Sequence, residues 1–218
     1  SSDVCSSDLI RRLTKEGPGD EAAFLQFKET VKRYPRELLP LLLQLSSERR
    51  NGLITAFFEA LAPADRVLAL ELLPPGLSVR EQLDWARPVS TAWVRAGELA
   101  GAAAIINSRF PADARSSAIE DAIGALGGNT SAADALAFWA ALDPHTAKDL
   151  KAGALASWLS RTDPVAAVKW YEGLNQRERM HALENVTSGS SEQLRQQYAV
   201  TSDETIRSRI IQRLGYLA

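Results

Sequence analysis

Cysteine is almost missing from this chain of 218 residues: Cys5 is the only one, beside two histidines and one methionine. A single thiol excludes a disulfide framework and a thiolate metal site. His145 and His181 stand apart from any cluster of acids, so the usual means of general acid–base chemistry are scarce. An excess of one charge is missing too. Lys+Arg 25 against Asp+Glu 27 gives a formal net charge of −2, which argues against a nucleic-acid binder relying on bulk positive charge. No apolar run approaches the ~20 residues that span a bilayer. The longest, Leu38 to Leu45, is broken by Pro40 and Gln44. Sustained alternation with a period of two is also lacking, so strands are not expected.

What is present is the composition of an ordinary folded chain, 45% hydrophobic and 24% charged. Arginine far outnumbers lysine and alanine is abundant, as in GC-rich bacterial genomes. The first nine residues, Ser1 to Leu9, resemble a common sequencing adapter read in one frame and fused to an open reading frame. That reading makes residues 1–9 a non-native leader and the remainder a fragment, with the compartment left open.

Position-matched apolar residues then recur at a near-constant interval. Leu73, Ile106, Trp139, Trp170 and Tyr198 are separated by 33, 33, 31 and 28 residues. Half a period away, Phe58, Trp93, Leu126, Trp158, Val186 and Leu214 succeed one another at 35, 33, 32, 28 and 28. Two interleaved series of this kind are the mark of stacked helical hairpins, an all-α solenoid. Residues 10–63 read as N-terminal helices of a truncated array. Residues 64–218 divide into units at about 64–96, 97–130, 131–162, 163–190 and 191–218.

Punctuation supports the division. Gly17-Pro18-Gly19-Asp20 leads into a helix with Ala23, Phe24 and Phe27 on one face. Pro35 opens a second, and Ser46-Ser47 a third that stops at Ala62-Pro63. Later breaks fall at Pro74-Pro75-Gly76, Phe110-Pro111, Gly127-Gly128-Asn129, Asp143-Pro144, Asp163-Pro164 and Ser188-Gly189-Ser190. Asn175-x-x-Glu178 and Thr201-x-x-Glu204 have the form of capping boxes. Pro88 is expected to kink or split the helix carrying Trp85 and Trp93. Small residues at 97–104, 132–133, 152–156 and 166–167 mark places where helices approach closely. The tryptophans fall on or near the repeat grid and read mostly as core between hairpins rather than as an aromatic ligand platform.

Each candidate for chemistry has a plainer account. Glu178-x-x-His181 has the spacing of di-iron helix bundles, but the second such pair is absent, so Glu178 reads as a cap and His181 as a surface residue. Gly124 to Ser131 is glycine-rich before a helix, yet it lacks the P-loop lysine and a preceding strand. It reads as a C-cap, a turn and the next N-cap. Asp143-Pro144-His145 reads as a turn. Asn129-Thr130-Ser131 and Asn185-Val186-Thr187 match the glycosylation pattern, which matters in a eukaryotic secretory setting. Arg195, Arg207, Arg209 and Arg213 give the last unit a basic face, which reads as solvated, an anionic partner being the alternative. No catalytic residue, cofactor or metal is expected.

The segment from Asp163 to Leu174, with Trp170-Tyr171, resembles the first helix of a tetratricopeptide-type hairpin. With Trp139 and Trp158 it is also similar to bacterial helical-repeat proteins in which tryptophan and Asp-Pro recur at hairpin junctions. The likeness covers about 97–190, and 64–96 more loosely. It implies binding of a peptide or protein partner along a groove lined by the first helices. The expected function is a non-catalytic scaffold for protein–protein interaction. The alternatives are a regulatory or targeting arm of an enzyme whose catalytic part lies elsewhere, and a structural spacer.

Overall fold

The computed structural model describes residues 21–74, 78–144 and 148–217. The leader, the 17–20 break with Asp20 as cap, Pro75-Gly76 and His145 lie outside them. The described residues form thirteen α-helices and no strand, so the chain is all-α. It divides into two compact units, Ser1–Ala96 and Gly97–Ala218.

The first unit holds α1 (Glu21–Arg33), α2 (Pro35–Leu43), α3 (Ser47–Leu61), α4 (Arg66–Leu72) and α5 (Val79–Arg95). Ala23, Phe27 and Val31 recur every four residues, so α1 buries one stripe. They join a core that includes Leu38, Leu42, Ile54, Phe57, Phe58 and Trp85. Helix α3 packs against α1, α2, α4 and α5 and is the centre of the unit. Proline at the first position starts α2, as its spelling predicts.

Pro88 does not split α5, which runs unbroken from Val79 to Arg95. A proline there removes one helical N–H and costs about 3 kcal/mol in an isolated helix. Burial of Trp85, Ala86, Val89 and Ala92 on both sides of it offsets that cost. Side chains re-use nearby carbonyls: Ser90 and Thr91 both donate to the Arg87 carbonyl, at 3.1 and 2.9 Å.

The start of α5 is a capping box. Glu81 accepts from the Ser78 hydroxyl and N–H at 2.7 and 3.1 Å, and pairs with Arg50 of α3 at 2.8 Å. These Ser78 bonds first, then Arg50, hold the Glu81 carboxyl below its ordinary value of 4.5. A carboxyl lowered in the fold stabilises it fully above the ordinary value, and the contribution is lost as pH falls through the lowered one. Between those values wild type should lose stability in acid that Glu81→Gln, already without the charge, does not. Urea midpoints from pH 7 to pH 3 test this; parallel profiles for the two proteins would contradict it.

The second unit holds α6 (Leu99–Arg109), α7 (Ala112–Gly124), α8 (Ala132–Ala141), a 3-10 turn (Lys148–Lys151), α9 (Ala152–Thr162), α10 (Pro164–Glu172), α11 (Gln176–Val186), α12 (Ser191–Val200) and α13 (Glu204–Leu217). Alternate helices touch. Helix α6 packs on α8, and α10 on α12, while α7 packs on α9 and α9 on α11. The Trp139 and Trp170 rings join α8 to α10 edge to face, with centroids 5.7 Å apart. Glu184 joins α11 to α13 through Arg209 and Arg213, at 2.5 and 3.0 Å.

The tightest approach is α9 on α11. A Cβ added at Gly153 would stand 2.7 Å from the His181 carbonyl oxygen and 2.8 Å from Asn185 Nδ2. The small stretch 152–156 is therefore a contact surface, with Ala152, Leu155 and Ala156 buried beside it. Among the grid residues, Ile106, Leu126, Trp139, Trp158 and Val186 are buried. Tyr198 is 40% exposed, its ring face under the Arg207 guanidinium at 5.5 Å.

One cap differs from its sequence spelling. Helix α13 is started by Asp203, whose carboxylate accepts from the N–H groups of Thr205 and Ile206 at 2.9 and 3.1 Å. Thr201 is buried and donates its hydroxyl to Glu172 at 2.8 Å instead. The carboxylate is the stronger acceptor for two orphan donors, and the threonine is used between helix pairs.

Candidate functional site

A groove of about 440 Å³ opens between α7 and α9 in the second unit. Its closed side is apolar: Ile123, Leu126 and Trp158 line it and are each nearly buried, Trp158 at 6% exposure. One lip is bare backbone, Gly124, Gly127 and Gly128, because α7 ends at Gly124 and the turn to Ser131 carries no side chain at the two following glycines. The Ser131 hydroxyl then accepts from the Asp134 N–H at 3.1 Å and starts α8. The glycine-rich stretch is thus an ending, a turn and a cap, in that order.

The other lip is the last two turns of α9, with Ser157, Arg161 and Thr162. Two charges border the groove. Glu120 pairs with Lys151 at 2.6 Å. Arg161 donates Nε to the Ser157 carbonyl at 3.2 Å and meets no carboxylate among the described residues. The groove is thus an open apolar trough with a cation on one side. It lies on the second helices of the pairs, whereas the sequence led to an expectation of the first.

Three arginines hold one post in three helix pairs. Each is the fourth residue of the pair's second helix and reaches back across the linker. Arg115 donates to the Phe110 and Asn107 carbonyls at 2.8 and 2.7 Å. Arg179 donates to the Leu174 carbonyl at 3.0 Å and to that of Glu172. Arg207 donates to the Thr201 carbonyl at 2.9 Å. The carbonyl ends of α6, α10 and α12 thereby gain donors and a positive charge. Two of the guanidiniums also reach the next pair's linker, Arg115 to Asp143 at 3.5 Å and Arg179 to Asp203 at 3.6 Å. Sequence reasoning missed this set. The signal was present in the separations of 64 and 28 residues, near two repeats and one.

The remaining candidates are scattered. Glu178 accepts from the Asn175 N–H and side-chain amide at 3.3 and 2.8 Å, and is a cap. Among the described residues no three His, Cys, Asp or Glu side chains gather as a metal site. Asp143 donates its N–H to Asn107 Oδ1 at 3.0 Å and pairs with Arg115 at 3.5 Å, so it is engaged with the preceding helix pair. Asn129 lies exposed in its turn, and Asn185 lies in α11 beside Gly153. In the basic face of the last unit, Arg195 pairs with Glu192, Arg209 and Arg213 share Glu184, and Arg207 is spent on its linker. No helix among the described residues is long and apolar enough to cross a membrane.

No family model matches the chain, and neither do curated proteins or solved structures.

Proposed function

We propose that the chain is a non-catalytic helical-repeat scaffold. Its helix pairs stack as a tetratricopeptide-like α-solenoid and hold a peptide segment of a partner protein in the groove between α7 and α9. The observation that carries this reading is the groove itself, an apolar trough held open by two packed helices whose lip is glycine. A preformed trough of this kind needs little ordering on binding, so contact energy goes into affinity. The alternating contacts of α6 to α13 support the stacking, since consecutive pairs within this unit pack against one another.

Selection of a displayed random peptide library on the immobilised protein tests it. A Cβ at Gly124, on the groove lining, would meet no atom within 4 Å outside its own helix turn, so Gly124→Trp has room on the lip to obstruct the trough. Enriched peptides are expected to bind wild type and to lose at least about tenfold on the filled variant, the scale of one apolar anchor. Failure to enrich any peptide, or equal binding to both proteins, would refute the reading.

A further inference from the structure

We infer that the α7–α9 groove selects segments in which an acidic residue lies beside an apolar anchor; this deepens the groove reading above and rests on it. The two ionised side chains on the groove differ in standing: Glu120 is neutralised by Lys151 at 2.6 Å, whereas Arg161 has no acidic partner among the described residues. Elsewhere in the same unit Arg115, Arg177, Arg179, Arg195, Arg209 and Arg213 each have one, while Arg207, which donates to the Thr201 carbonyl, and Arg109 do not line the groove. Arg161 is also held in place, by its Nε bond to the Ser157 carbonyl one turn earlier. That leaves the outer nitrogens of a planar fork free for a carboxylate, which the fork meets with two parallel bonds.

The apolar half of the motif comes from Ile123, Leu126 and Trp158, which line the trough next to Arg161. The glycine lip adds main-chain donors. The N–H groups of Gly127 and Gly128 meet no protein acceptor among the described residues, and Thr130 donates to the Gly127 carbonyl at 3.1 Å. A segment lying along the lip can therefore give its own carbonyls to the backbone while its side chains enter the trough. A basic segment would set its charge against Arg161, and Glu120 is already engaged.

The probe is the displayed random library, selected in parallel on wild type, Arg161→Gln and Arg161→Glu, followed by binding isotherms for the best peptide and its Asp→Asn or Glu→Gln form. Asp or Glu should be enriched next to an apolar residue on wild type, and Lys or Arg on Arg161→Glu. The acid-to-amide change should weaken wild-type binding about three- to tenfold, the worth of a partly screened charge-assisted pair, and should have no effect on Arg161→Gln. Peptides that bind, compete with Gly124→Trp filling and show no acidic preference overturn the charge inference and leave the groove reading standing. Peptides indifferent to Gly124→Trp overturn both.

Discussion

Replacing Trp158 by alanine should destabilise the second unit by about 3–5 kcal/mol, the cost of removing a buried indole and leaving its cavity. The side chain is 6% exposed, lies in α9 between Leu155 and Leu159, and forms part of the groove floor. α9 packs on α7, α10 and α11, so the loss is felt on several sides. Tyr198 is the contrasting case. It stands on the same repeat grid but is 40% exposed, with one face against Arg207. Tyr198→Ala should cost about 1 kcal/mol or less, the scale of an exposed cation–π contact. Thermal and urea unfolding of the two variants decides it; equal losses would show that burial is a false guide to the cost at these positions.

Gly153→Val should be the other severe change. Its Cβ would sit 2.7 Å from the His181 carbonyl oxygen, an atom fixed in the backbone of α11. Relief requires α9 and α11 to part along their whole contact, and overpacking of this sort costs about 1–3 kcal/mol or more. Gly124→Ala is the control. That glycine is also helical, but outside its own helix turn no atom lies within 4 Å of its added Cβ, so alanine there should be neutral or stabilising by up to about 1 kcal/mol. Should Gly153→Val unfold at the wild-type urea concentration, the closeness of these two helices would be wrong.

Gly153 also shows what can be read from the amino acids alone and what cannot. That 152–156 has to be a close contact is legible, because a run of small residues leaves a helix with little bulk. That the partner is the backbone of α11 is not, since the pairing depends on how α9 and α11 turn about their axes. Helix starts are legible where the cap is local, as at Asn175 and Asp163. Thr201 misleads because its hydroxyl is claimed by Glu172, 29 residues earlier, and no local rule contains that competitor. Pro88 leaves α5 unsplit for a related reason: a local penalty is outweighed by burial supplied from elsewhere in the fold. The groove is least visible of all. Its glycines read correctly as a turn, but a lip without side chains borders a groove only when α9 brings Trp158 and Arg161 beside it.

The arginine at the fourth position of α7, α11 and α13 bears on mechanics. Arg115 and Arg179 are tied at one end to their own linker and at the other to an aspartate in the next linker. Bending one helix pair against its neighbour has to stretch a charged strut lying at the turn, at the margin of the apolar layer, where Arg179 also covers the Tyr171 ring at 5.5 Å. Part of the stiffness therefore resides in charged groups rather than in the core. Concentrated salt would slacken the struts and let neighbouring pairs flex while the buried core stays intact, so the chain's compliance can change with its ionic surroundings at nearly constant melting temperature.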